Sequence, residues 1–97
     1  MATTSLLTDH YELTMLQAAL ASGTAHRRCT FEVFTRRLPA SRRYGVLAGT
    51  GRFLEGLQSF RFDDEDLSFL ASRNIVNAQT LKYLENFRFT GNIRGYV

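Results

Sequence analysis

Eleven of the twelve basic side chains in this chain are arginines. Six of them (Arg27, Arg28, Arg36, Arg37, Arg42 and Arg43) fall within seventeen residues and are opposed only by Glu32. The planar guanidinium fork meets phosphate or carboxylate oxygens two at a time, which the point charge of lysine does not. The stretch therefore points to an anionic partner, with a solvated basic surface as the plainer alternative. Within it, Phe31-Glu32-Val33-Phe34-Thr35 alternates and leads into Arg36 and Arg37, and the end of a strand holds an arginine in a defined place. A second candidate is Thr8-Asp9-His10-Tyr11-Glu12-Leu13-Thr14-Met15. A tyrosine in the first turn of a helix projects off the domain, toward a ligand or a neighbouring subunit. Its ring stacks on a planar partner after only two torsions are fixed. A capped helix with a surface tyrosine is the structural alternative.

Other chemistries find little support. Tyr44–Gly51 is glycine-rich, but Leu54 stands where a dinucleotide loop needs its third glycine, and no strand leads into it. Its glycines are expected to permit close helix packing instead. His10 and His26 lie sixteen residues apart with no cysteine or carboxylate at ligand spacing, so no metal site is expected. No serine or cysteine has a recognisable base, so no catalytic residue is assigned to this segment. The single cysteine, Cys29, sits among apolar neighbours and reads as a buried, inert thiol in a reducing, cytoplasmic setting.

Several elements must position these residues. Asp9 and Glu12 have capping-box spacing, Leu13, Leu16 and Leu20 share a face, and Gly23 supplies a stop, so residues 9–22 are expected to be helical. Residues 29–35 read as a strand, and Pro39–Arg43 as a turn. A helix from about 45 to 59 would turn Val46, Phe53, Leu54 and Leu57 inward. Asp63–Asp66 opens a third helix, its acids facing the positive end of the dipole, with Leu67, Phe69 and Leu70 on its apolar side. Residues 77–86 carry Leu81 and Leu84 on a fourth, and Phe87–Thr90 and Ile93–Val97 return to strand.

With 97 residues and 44% hydrophobic content the chain is at most one domain, near the lower limit of independent stability. Its apolar runs are far shorter than the roughly 20 residues a membrane helix needs, and no secretory signal is visible. Because the chain stops inside an apolar, β-prone run, 1–97 is expected to be an incomplete domain.

Four segments taken together carry a resemblance. Thr-Asp-x-Tyr-x-x-Thr-Met (Thr8–Met15), Phe-Glu-x-Phe-x-Arg-x-x-Pro (Phe31–Pro39), Tyr-x-Val-x-Ala-Gly (Tyr44–Gly49) and Phe-x-Phe-x-Gly-x-Ile (Phe87–Ile93) resemble, in this order, the start of nicotinate phosphoribosyltransferases. His10 departs by standing where an apolar residue is commoner, and Arg42-Arg43 by standing where small residues lie.

The resemblance implies an α/β fold: the N-terminal domain of a type II phosphoribosyltransferase, whose barrel would lie beyond this chain. It implies an enzyme of NAD biosynthesis that joins nicotinate to 5-phosphoribosyl 1-pyrophosphate and couples the step to ATP hydrolysis. ATP and Mg2+ would bind mainly outside this segment. A homodimer with shared sites is implied, and neither nucleic acid nor membrane would be a partner. Carried over by position, Tyr11 would stack on the nicotinate ring across the dimer interface and Asp9 would sit beside it. Arg36, and more weakly Arg37, would meet phosphate oxygens. Two other classes remain open at this point. A small arginine-rich nucleic-acid-binding module would use Phe31, Phe34 and Tyr44 for stacking, against which stands the acidic run Asp63–Asp66. The other is a purely structural interaction domain. A cousin using nicotinamide would differ in residues further along.

Overall fold

The computed structural model describes residues 3–95, in which four helices follow one another: α1 (His10–Ser22), α2 (Thr50–Gln58), α3 (Asp64–Ser72) and α4 (Ala78–Asn86). Local chemistry sets most of their ends. The Asp63 carboxylate accepts the Asp66 N–H at 2.8 Å and the Asp66 carboxylate accepts the Asp63 N–H at 3.0 Å, a closed capping box at the start of α3. Asn77 caps α4, its side-chain oxygen accepting both the Thr80 N–H at 2.9 Å and the Thr80 hydroxyl at 2.7 Å. Thr80 is fully buried, so one amide oxygen satisfies both of its donors. α1 stops at Gly23, whose φ of 78° is comfortable only without a Cβ, and the Thr24 N–H closes on the Ala19 carbonyl at 2.9 Å.

α4 lies between α1 and α3 and packs on both. Leu13, Leu70 and Leu84 come from these three helices and meet Phe62 and Val76 from the connections, forming the core. The Asn77 N–H donates to the Gln17 side-chain oxygen at 2.6 Å, tying the start of α4 to the middle of α1. Rings continue outward from this core: Phe62 meets Phe60, Phe60 meets Phe87, Phe87 meets Tyr83, and Tyr83 meets His26, with centroids 5.6–6.0 Å apart. His26 stands at the root of the segment that joins α1 to α2.

That segment, residues 24–49, leaves the helical body as an extended arm. Phe31 and Val33 on it are 88% and 92% exposed, and α2 at its far end packs on none of the other helices. The radius of gyration is 16.1 Å, whereas a compact chain of this length would have about 13 Å.

Several expectations are corrected here. The segments 29–35 and 87–90 are extended but form no strand, and among the described residues there is no strand at all. A strand exists by pairing, and apart from the Phe87 N–H, which closes on the Leu84 carbonyl of α4, no backbone hydrogen bond ties these two segments to another among the described residues. For Ile93–Val97, residues 93–95 are likewise unpaired, and 96 and 97 lie outside the described residues. α2 begins at Thr50 and not near residue 45, because Gly49 sits at φ 86°, outside the helical region. No close packing surrounds the loop glycines: a Cβ at Gly49 or Gly51 would meet nothing within 4 Å. Val46, in the loop before α2, and Phe53 and Leu54 on it are exposed, and no other helix packs against α2. Phe69 also faces water, with the Arg73 guanidinium 5.4 Å from its ring centre. Cys29 is exposed, as are its neighbours from residue 27 to 37. The turn at Pro39–Arg43 does form, with the Arg42 N–H on the Pro39 carbonyl at 2.9 Å.

Candidate functional site

The first turn of α1 is where the chain places a cluster of uncommitted polar and aromatic groups. Asp9 is its N-cap, with extended backbone at φ −79° and ψ 145°, and its carbonyl accepts the Glu12 N–H at 3.1 Å. The capping box anticipated from Asp9 and Glu12 does not form, because the Asp9 side chain accepts no bond from the helix. Glu12 is engaged elsewhere: its carboxylate receives the hydroxyl of Thr8. The Asp9 carboxylate is left at the surface instead of being spent on the backbone.

Tyr11 is 58% exposed, and its ring meets no other ring among the described residues. The reason lies in helical geometry. Leu13 faces the core, and Leu16 packs against it, which turns Tyr11 and Met15 to the opposite side. α1 therefore carries apolar side chains on two faces, one buried here and one open. The Thr14 hydroxyl bonds back to the Tyr11 carbonyl at 3.0 Å, a local contact common in helices.

Arg36 and Arg37 lie on the exposed arm just before its turn. Among the described residues neither guanidinium has a hydrogen-bonding partner, so both keep their full donor capacity. Asp9 and Tyr11 are both exposed at the start of α1, two residues apart. The structure does not bring Arg36 or Arg37 to them.

The acidic run serves structure. The Asp66 N–H, foremost, holds the Asp63 carboxyl below its ordinary value, aided by the Asp66 side chain and by Arg61. Around it opens a groove of about 360 Å³ whose walls mix signs, Arg61 and Arg88 against Asp64, Glu65 and Glu85. Among the described residues no three histidine, cysteine or carboxylate side chains come together as metal ligands. Two contacts have no counterpart in the sequence motifs. The Thr8–Met15 motif assigns Thr8 no role, although Thr and Glu four residues apart face one another at a helix start. Gln17 and Asn77, sixty residues apart, gave no local signal.

The family model for the N-terminal domain of nicotinate phosphoribosyltransferases matches residues 6–97. A nicotinate phosphoribosyltransferase of Mycobacterium tuberculosis is 59% identical over 92 residues, which are 95% of this chain and 20% of that protein. A second from the same organism is 42% identical over 92 residues, 92% of this chain and 19% of its own. The nicotinate phosphoribosyltransferase of Bacillus subtilis is 41% identical over 66 residues, 68% of this chain and 14% of its own. No solved structure matches. The chain spans about a fifth of the length of the first two relatives.

Proposed function

Since the chain belongs to the nicotinate phosphoribosyltransferase family, as its N-terminal domain, we propose that it is part of an enzyme making nicotinate mononucleotide. The ring nitrogen of nicotinate attacks C1 of 5-phosphoribosyl 1-pyrophosphate, a nitrogen–carbon bond forms, and pyrophosphate leaves with the electrons of the broken carbon–oxygen bond. ATP hydrolysis is coupled to this step, and the product feeds NAD biosynthesis and salvage in the cytoplasm. Among the described residues no helix is long and apolar enough to cross a membrane.

The residues of this chain would act by binding and orientation. Tyr11 stacks on the nicotinate ring and aims its nitrogen, with Asp9 beside the same ring. Arg36 and Arg37 stabilise the negative charge that builds on the departing pyrophosphate. The outward direction of Tyr11 supports a site shared across a homodimer, in which one subunit's α1 completes the other's pocket. Free guanidinium groups on the arm support the phosphate role. Further along the complete enzyme, the barrel supplies pairing partners for 29–35 and 87–90, so that an α/β architecture emerges only there. ATP and Mg2+ would bind mainly outside this segment, in which no three metal-ligating side chains come together among the described residues.

The observation that carries this reading is the unbroken match from residue 6 to 97, which spans all four motifs. The full-length gene product, given nicotinate, 5-phosphoribosyl 1-pyrophosphate and Mg-ATP, should release pyrophosphate and nicotinate mononucleotide, followed by chromatography of the pyridine nucleotides. Absence of product from nicotinate would overturn it. Product from nicotinamide alone would reassign the substrate.

A further inference from the structure

α1 and α3 each pack on α4 and not on one another, yet the residues ahead of α1 reach across to the entry of α3. The Ser5 hydroxyl donates to the Arg61 carbonyl, and the Thr3 hydroxyl donates to the Asp66 carboxylate. Both acceptors belong to one short stretch. Arg61 lies two residues before the Asp63 cap, and the Asp66 oxygen that takes Thr3 also accepts the Asp63 N–H at 3.0 Å. The closed capping box holds that oxygen in place, so Thr3 meets a fixed acceptor and not a loose surface acid. Ser5 is only 4% exposed; a buried hydroxyl needs a partner, and the Arg61 carbonyl supplies it. Leu6 packs on the core beside it, and the Leu7 N–H closes on the Thr4 carbonyl at 3.0 Å. Residues 3–7 therefore form a turned strap seated against the start of α3.

Tyr11 stands between two holds. No side chain from residue 7 to residue 12 is buried. Behind this stretch is the strap; ahead of it is Leu13 in the core, followed by Gln17 on the Asn77 N–H. The Asp9 side chain makes no cap, so the first turn of α1 draws little rigidity from its own N-cap. A helix held only from Leu13 onward is free to tilt at its open end. The strap removes that freedom.

Resting on the placement of Tyr11 at the nicotinate ring, we infer that Ser5, assisted by Thr3, is a positioning residue for nicotinate: the strap sets the angle at which α1 begins and hence the direction of the Tyr11 ring. Neither hydroxyl touches the substrate, since both are committed to the entry of α3. Stacking depends on the tilt and offset of the two rings, so a swinging first turn weakens the grip on nicotinate. Arg36 and Arg37 leave from the other end of α1, beyond Gly23, and are not disturbed.

Steady-state kinetics on the full-length enzyme test this. Ser5→Ala should raise the KM for nicotinate about threefold, a misdirected ring costing less than the tenfold expected for a missing one. The KM for 5-phosphoribosyl 1-pyrophosphate should stay at the wild-type value. The melting temperature should fall, but partial unfolding lowers only the apparent kcat and leaves both KM values alone. The deciding measurement is a double-mutant cycle. In a Tyr11→Ala background there is no ring left to direct, so adding Ser5→Ala should raise the nicotinate KM no further. Thr3→Val, at the half-buried end of the strap, should show the same split to a lesser degree, and Thr3→Ser should restore wild-type behaviour. The same criteria apply to Thr3→Val should Ser5→Ala fail to fold. Unchanged KM values with a lowered melt, a joint rise for both substrates, or additive effects with Tyr11→Ala would overturn the inference, leaving the strap a support of the fold. In those cases a raised nicotinate KM in Tyr11→Ala alone keeps the proposed site standing; if Tyr11→Ala is silent, both fall.

Discussion

Replacing Tyr11 by alanine should weaken the use of nicotinate about tenfold without weakening the fold, and the size of the effect follows from how the ring is placed. An aromatic side chain presents about 200 Å², and Tyr11 is 58% exposed, which leaves about 120 Å² facing water. At about 25 cal/mol per Å², covering all of it would contribute about 3 kcal/mol. A planar ligand covers one face, so about half of that is available, or about 1.5 kcal/mol. Because 1.4 kcal/mol is about a factor of ten, the KM for nicotinate should rise about tenfold. Tyr11→Phe keeps the face and should change it little. On the folding side, the ring meets no other ring and points away from Leu13 and the core. The change in stability should therefore stay within about 0.5 kcal/mol, as for most surface positions. Initial rates with each substrate varied in turn, alongside a thermal melt, read both quantities. An unchanged nicotinate KM in Tyr11→Ala would remove the residue from the site. A large drop in melting temperature would show that the ring is structural, and the reasoning from exposure would fail.

Arg36→Lys should raise the KM for 5-phosphoribosyl 1-pyrophosphate about tenfold or more, since a charge-assisted fork contributes about 1.5–3 kcal/mol and lysine cannot reproduce it; Arg43→Lys should be nearly silent in the same assay. Leu70→Ala, at a position 1% exposed in α3, should cost about 2–5 kcal/mol in a denaturant titration, whereas Phe53→Ala on the unpacked α2 should cost little. The lowered Asp63 carboxyl stabilises the fold above its ordinary value of 3.8, and that contribution is lost as pH falls through the lowered folded value. The difference in melting temperature between wild type and Asp63→Asn should therefore be present at about pH 6 and shrink in the acid range; a difference that does not change with pH would refute this.

Local signals were legible in the sequence wherever the chemistry closes within a few residues. Gly23 stops α1, and Asp63 and Asp66 open α3, because a cap needs only its own turn. The four motifs that revealed the family are also local patterns, read without coordinates, and they delivered Asp9, Tyr11, Arg36 and Arg37 as candidates. What the sequence could not decide was which partner each segment would find. The alternation of Phe31, Val33 and Thr35 promises a strand, but the promise is kept only by a second strand, and none of the described residues provides one. For the same reason Cys29, Val46 and Phe53 lie open although their types suggested burial. Even at a helix start, two identical spacings diverged: Asp63 closed its box and Asp9 did not. Propensity and spacing state what a residue offers. Tertiary structure decides which offer is taken up, since a hydrogen bond or a buried face stabilises only when its partner arrives from elsewhere in the chain.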